Sequence, residues 1–94
     1  MRASFATLDQ AGAVLKEYAA LKLLIRGHTD STGSAAINTR LSLARAQAVK
    51  DYFVKKGIAE DRLTVEGVGP AEPVGNNKTR AGRAENRRIE FKLQ

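Results

Sequence analysis

The sequence contains no cysteine and no tryptophan, a single histidine and only two prolines. Without cysteine there is no disulfide and no thiolate for a metal, and cysteine usage does not mark a redox compartment. One imidazole, His28, with no HExxH spacing does not make a zinc site, and no metal or cofactor is expected. Long apolar runs are missing as well. No stretch approaches the roughly 18 apolar residues needed to cross a bilayer, and Met1-Arg2-Ala3-Ser4 opens no apolar signal segment, so the chain reads as a soluble module excised from something larger. Aromatics are few: Phe5, Tyr18, Tyr52, Phe53 and Phe91. Phosphate loops are absent, since no Gly-Lys-Ser/Thr occurs and Gly67-x-Gly69 lacks the third glycine of a dinucleotide fingerprint.

What is present in excess is positive charge. Sixteen Lys and Arg stand against ten Asp and Glu, a net +6, and residues 78–92 alone hold six cations against two carboxylates. No aromatic residue is interleaved with that basic cluster as a base-stacking platform requires, which argues against nucleic acid and for a solvated basic face. At 94 residues the chain forms one domain, 1–94, with no room for a separate catalytic unit.

Apolar residues at 11, 14, 15 and 18 give Leu8–Ala19 the period of a short amphipathic helix, with Asp9 suited to its N-cap. Leu21–Ile25 reads as a buried strand. Asn38 is placed to cap a second helix with an apolar stripe of Leu41, Ala44, Ala48, Val49, Tyr52 and Phe53, ended by Gly57 at C′. Arg62–Val68 alternates as a half-covered strand, Gly69–Asn77 is a loop, Thr79 caps a basic turn up to Asn86, and Arg88–Leu93 alternates as a closing strand. Helices alternating with strands predict a two-layer α/β sandwich, helices on one sheet.

The segment Gly27-His28-Thr29-Asp30-Ser31-Thr32-Gly33 places a carboxylate at a strand's C-terminal end, where ligands gather in open α/β sheets. Arg45 leaves the next helix along the edge of its apolar stripe, and a guanidinium with its stem packed there needs a carboxylate or a polar ligand. Spacing alone leaves two arrangements open. Asp30 and Arg45 are either an ordinary ion pair, with Asp30 shaping its loop, or the two halves of a receptor for a zwitterion. Gly27 and Gly33 are expected to supply loop conformations, Thr29 and Thr32 to bond within the loop, and His28 to anchor it. A serine hydrolase built from Ser31 or Ser42 with His28 and Asp30 has no nucleophile-elbow signal.

Taken together, Gly-His-Thr-Asp-x-x-Gly at 27–33, Asn38, Leu41-Ser42-x-x-Arg45-Ala46-x-x-Val49, Gly57-Ile58, Arg62-Leu63 and Asn86-Arg87-Arg88-Ile89-Glu90 closely resemble the OmpA-like C-terminal domain. The resemblance is strongest over residues 22–93. It implies a mixed β-sheet and a non-enzymatic, periplasmic module of an outer-membrane-associated protein, anchored to peptidoglycan through the diaminopimelate of the stem peptide. By position, Asp30 would receive the diaminopimelate ammonium and Arg45 its carboxylate, with Thr32, Asn38 and Arg87 lining the pocket. A basic nucleic-acid-binding domain and a small cell-wall hydrolase are the alternatives. The start departs from the family pattern: only Ala3-Ser4-Phe5-Ala6 remains for a first strand and the helix after it is short, so a homodimer through the shortened N-terminal edge is anticipated.

Overall fold

The computed structural model describes residues 5–94, with side chains from residue 7 onward. Its elements are α1 (Phe5–Glu17), β1 (Leu23–His28), α2 (Ala35–Lys55), a 3₁₀ turn (Glu60–Arg62), β2 (Leu63–Gly69), α3 (Arg80–Asn86) and β3 (Ile89–Leu93). The strands form one mixed sheet in the order β2-β1-β3, with β1 parallel to β2 and antiparallel to β3. The order of elements and the two-layer architecture are those the sequence predicts.

Leu23 and Ile25 of β1 and Leu63 of β2 face the helices and form the core with Leu8, Leu15, Ala46, Phe53 and Ile58; Val65, Ile89 and Phe91 pack beside them. Alternation sends Arg26, Glu66 and Glu90 to the other face, where they share one register across the three strands. That face carries ion pairs instead of a second core.

The helix boundaries differ from expectation for local reasons. Helix α1 starts at Phe5, so Phe5 and Ala6 are helical and not part of a strand, while Ala3 and Ser4 lie outside the described residues. Asp9 is interior and its Oδ1 accepts the Tyr52 hydroxyl at 2.6 Å, tying α1 to α2 instead of capping α1. The C-terminal end of α1 is closed by Arg62, whose Nη2 donates to Leu15 O and Tyr18 O and whose Nε donates to Leu21 O. A cation on the last carbonyls also suits the helix dipole.

Helix α2 begins one turn earlier than expected. Ser34 is its N-cap, accepting from Ile37 N, and Asn38 sits within the helix. Its buried face is Ser42, Ala46 and Phe53, while Leu41, Ala44 and Ala48 are exposed, so the predicted stripe is rotated by about one position. Glycine explains the rotation. Gly27 and Gly67 are register partners on β1 and β2, and a Cβ on either would collide with α2 backbone at Ser42 or Leu43. Gly27 therefore lies in the strand and permits close approach of a helix, a different role from the loop conformation expected of it. Gly33 does adopt φ +81 and Gly57 φ +98, conformations that residues with a Cβ resist.

Candidate functional site

Both parallel strands end on the same side of the sheet, and β3 begins there. Three chain segments meet at that edge: the loop after β1, the loop after β2 and the end of α3 leading into β3. Backbone bonds from Thr29 N to Gly69 O and from His28 N to Arg88 O, each 2.9 Å, join them.

Asp30 is at the centre of this junction and is 7% exposed. Its Oδ1 accepts Thr32 N at 2.8 Å, closing an Asx turn, and its Oδ2 accepts Arg87 Nη1 at 2.6 Å. The Thr32 backbone N–H holds the Asp30 carboxyl below the ordinary carboxylate range; burial opposes this, and Arg87 adds to the lowering. The group is an anion at neutral pH. Thr29 Oγ1 donates to Asp30 O, and Asn38 Nδ2 donates to Thr32 O at 2.7 Å, so α2 grips the loop that carries Asp30.

Arg45 is half-buried on α2, one turn beyond Ser42. Its Nη1 is buried and has no hydrogen-bond partner, and among the described residues no carboxylate pairs with it. The ordinary ion pair between Asp30 and Arg45 that spacing allows is not formed. Asp30 pairs with Arg87, and Arg45 is left with a donor to fill.

Asn86 builds the third wall. It is fully buried and its side chain makes four hydrogen bonds: Oδ1 accepts Val74 N and Gly75 N, and Nδ2 donates to Gly75 O and to Asn77 Oδ1. Asn77 Oδ1 also accepts Ser31 N, so α3 reaches the Asp30 loop through two asparagines. Thr79 caps α3 as expected, accepting Gly82 N. The clamping roles of Asn77 and Asn86 are missing from the residue-by-residue reading because no periodicity marks a buried amide; the one signal is an asparagine at the end of a predicted helix.

His28 does anchor the junction. Its ring is buried and Nε2 lies 2.7 Å from Glu90 Oε1, while Glu90 Oε2 accepts Arg88 Nε at 3.2 Å. Burial pushes the Glu90 carboxyl up, but hydrogen bonds from His28 and Arg88 outweigh it and hold the group below its ordinary value. Donor atoms of His28, Glu72 and Glu90 come within 4.8 Å of one another, which raises the question of a cation. Arg26 already pairs with Glu66 and Glu72, and Arg88 with Glu90, so two guanidinium groups supply the positive charge these carboxylates need. His28 Nδ1 has no partner to orient the ring as a metal ligand, and the cluster is an ion-pair network.

The arrangement can therefore do one thing well. The junction holds a fixed anion and a paired cation, and α2 carries an unpaired cation one turn beyond Ser42, charges that suit recognition of a ligand bearing both signs.

The fold is that of OmpA-like domains. The OmpA family profile matches residues 2–87, and the chain belongs to that family. It is 42% identical over 98 residues to the probable lipoprotein YiaD of Escherichia coli (strain K12), a match covering 96% of this chain and 45% of that protein. It is 41% identical over 89 residues to the peptidoglycan-binding protein ArfA of Mycobacterium tuberculosis (strain ATCC 25618 / H37Rv), covering 95% of this chain and 27% of that protein. The crystal structure of the peptidoglycan-associated lipoprotein from Burkholderia pseudomallei superposes with a TM-score of 0.85 at 31% identity, covering 95% of this chain and 75% of that one. The chain spans less than half the length of the two curated relatives. No helix among the described residues is long and apolar enough to cross a membrane.

Proposed function

We propose that this domain binds peptidoglycan without covalent chemistry, gripping the diaminopimelate residue of the stem peptide and anchoring an outer-membrane or envelope protein to the wall from the periplasmic side. The observation that carries the reading is the unfilled, buried Nη1 of Arg45 on the helix whose Asn38 grips the Asp30 loop. A buried guanidinium donor without a partner is costly, and a ligand carboxylate satisfies it through two N–H groups at once. Asp30, held ionised, receives the ammonium on the same ligand carbon; Thr32, Asn38 and Arg87 line the pocket. Relatives named for peptidoglycan binding and association support this reading.

The alternatives fit less well. Ser42 Oγ is engaged by Thr39 O and Gly69 N, and His28 bonds to Glu90, so the serine-hydrolase arrangement lacks its nucleophile–base contact. Arg83, Arg87 and Arg88 of the basic segment are held by Asn77 O, Asp30 and Glu90, which leaves Lys78, Arg80 and Lys92 as its exposed cations and does not favour a polyanion surface. Arg83, part of the basic face expected to be solvated, is half-buried.

The test is cosedimentation with purified diaminopimelate-type sacculi. Arg45→Ala should lose on the order of 2–5 kcal/mol of affinity, as when one partner of a buried charge pair is removed. A folded Arg45→Ala that sediments like the parent domain would remove the assignment. Under the same proposal β2 and β3 are the outer strands among the described residues, and a second copy pairing along one of them makes a homodimer that sedimentation velocity would detect.

A further inference from the structure

Both oxygens of Asp30 are already in use. Oδ1 takes the Thr32 N–H and Oδ2 takes Arg87 Nη1, so an incoming ammonium meets a carboxylate whose charge is balanced. The unbalanced charge belongs to Arg45. Counted together, Asp30, Arg87 and Arg45 carry one negative and two positive charges. The three are fully matched by a ligand with one ammonium and two carboxylates, and not by a zwitterion alone.

Arg87 is built to change partner. It is the C-cap of α3, outside the strand ladder, its side chain is 35% exposed, and its contact with Asp30 is a side-chain ion pair that can open without breaking secondary structure. The backbone on both sides is pinned, by Asn86 within α3 and by Arg88 O bonded to His28 N, so only the side chain needs to move.

We infer that Arg87 stands in for the ligand's ammonium on Asp30 and, once that ammonium arrives, turns to a second ligand carboxylate. The preferred ligand is a stem peptide in which diaminopimelate ends the chain, so that the carboxylate at its acylated-amine centre is free in addition to the one beside the free ammonium. This rests on the diaminopimelate reading above. A longer stem, or one amidated at that centre, leaves Arg87 and the ammonium competing for Asp30.

Two soluble tripeptides, L-Ala-γ-D-Glu-diaminopimelate with that carboxyl free or as its primary amide, distinguish the cases by calorimetric titration. The parent domain should bind the amide about tenfold more weakly, the size of one lost charged hydrogen bond. Arg87→Gln should bind both peptides alike, and the amide no less tightly than the parent does, because its competitor for Asp30 is gone. Equal affinity of the parent for the two peptides overturns the inference. So does an Arg87→Gln variant that loses affinity for both in the same ratio, the result for a loop clamp. Arg87→Lys keeps the cation and should keep discrimination, which covers the case in which Arg87→Gln folds poorly. Failure of the parent to bind either peptide is a different result: it removes the diaminopimelate reading itself.

Discussion

Arg87 Nη1 lies 2.6 Å from Asp30 Oδ2, joining the end of α3 to the loop after β1 across 57 residues of sequence. The pair links two charged segments of the junction, and under the proposed reading folding and ligand recognition share one carboxylate. Its first consequence is a pH dependence. The Asp30 carboxyl lies below its ordinary value in the folded domain, so its stabilising contribution is present above the unfolded-state value of about 3.9 and is lost as pH falls through the folded value. Glu90 acts in the same direction. Urea denaturation between neutral pH and pH 3 should show stability falling below about pH 4–5, with a shallower fall in Asp30→Asn. An Asp30→Asn curve parallel to the parent's would show that Asp30 is not a source of the dependence.

Much of the fold was legible because it rests on periodicities. Thr79 before a basic turn, the alternation of Ile89–Leu93 and Gly57 after a long helix each act locally, and each appears where expected. The site was less legible for a physical reason. Arg45 is recognisable as a cation at the margin of a helix face, but which guanidinium reaches Asp30 depends on how far α2 sinks onto the sheet and how α3 is docked. Neither is encoded in spacing. Asp9 shows the same limit, since a good capping residue was drawn into a bond with Tyr52 by the packing of α1 on α2.

The seat of α2 on the sheet is open to direct test. Adding a methyl group at Gly27 or Gly67 drives a Cβ into backbone of α2, which cannot yield as a flexible side chain would. Gly27→Ala and Gly67→Ala should each destabilise the domain by about 3 kcal/mol or more, at the upper end for overpacking. At Gly33 nothing lies within 4 Å and only the φ of +81 resists a side chain, so Gly33→Ala should lose about 1–2 kcal/mol. Thermal melts of the three variants would establish the order; equal melting temperatures would contradict the close-approach argument.

Asn86 clamps the loop after β2 with a buried amide. Asn86→Ala leaves the amides of Val74 and Gly75 without their acceptor and should lose about 2–3 kcal/mol of stability. Hydrogen exchange at those two amides should rise more than exchange in β1. Exchange that rises uniformly across the sheet would mean that the clamp does not act locally.

Lys78 and Arg80 are exposed, and contacts made by such charges are worth about 0–1 kcal/mol and are screened by salt. The Lys78→Gln, Arg80→Gln double variant should bind sacculi almost as the parent does at physiological salt and differ mainly at low salt. Arg87→Ala should bind walls whose stems end at diaminopimelate more weakly across the whole salt range. Loss of binding by the double variant alone would move recognition to a polyanion surface.

Ligand chemistry tests the central proposal most directly. Walls with diaminopimelate and walls with lysine at the same stem position both offer an ammonium to Asp30, but only the first offers a carboxylate for Arg45, and leaving its buried Nη1 unpaired is costly. Equilibrium cosedimentation of the parent domain with the two wall types should show strong binding to diaminopimelate-type sacculi and binding at least tenfold weaker, about 1.4 kcal/mol or more, to lysine-type walls. Equal binding to both would contradict recognition by Arg45.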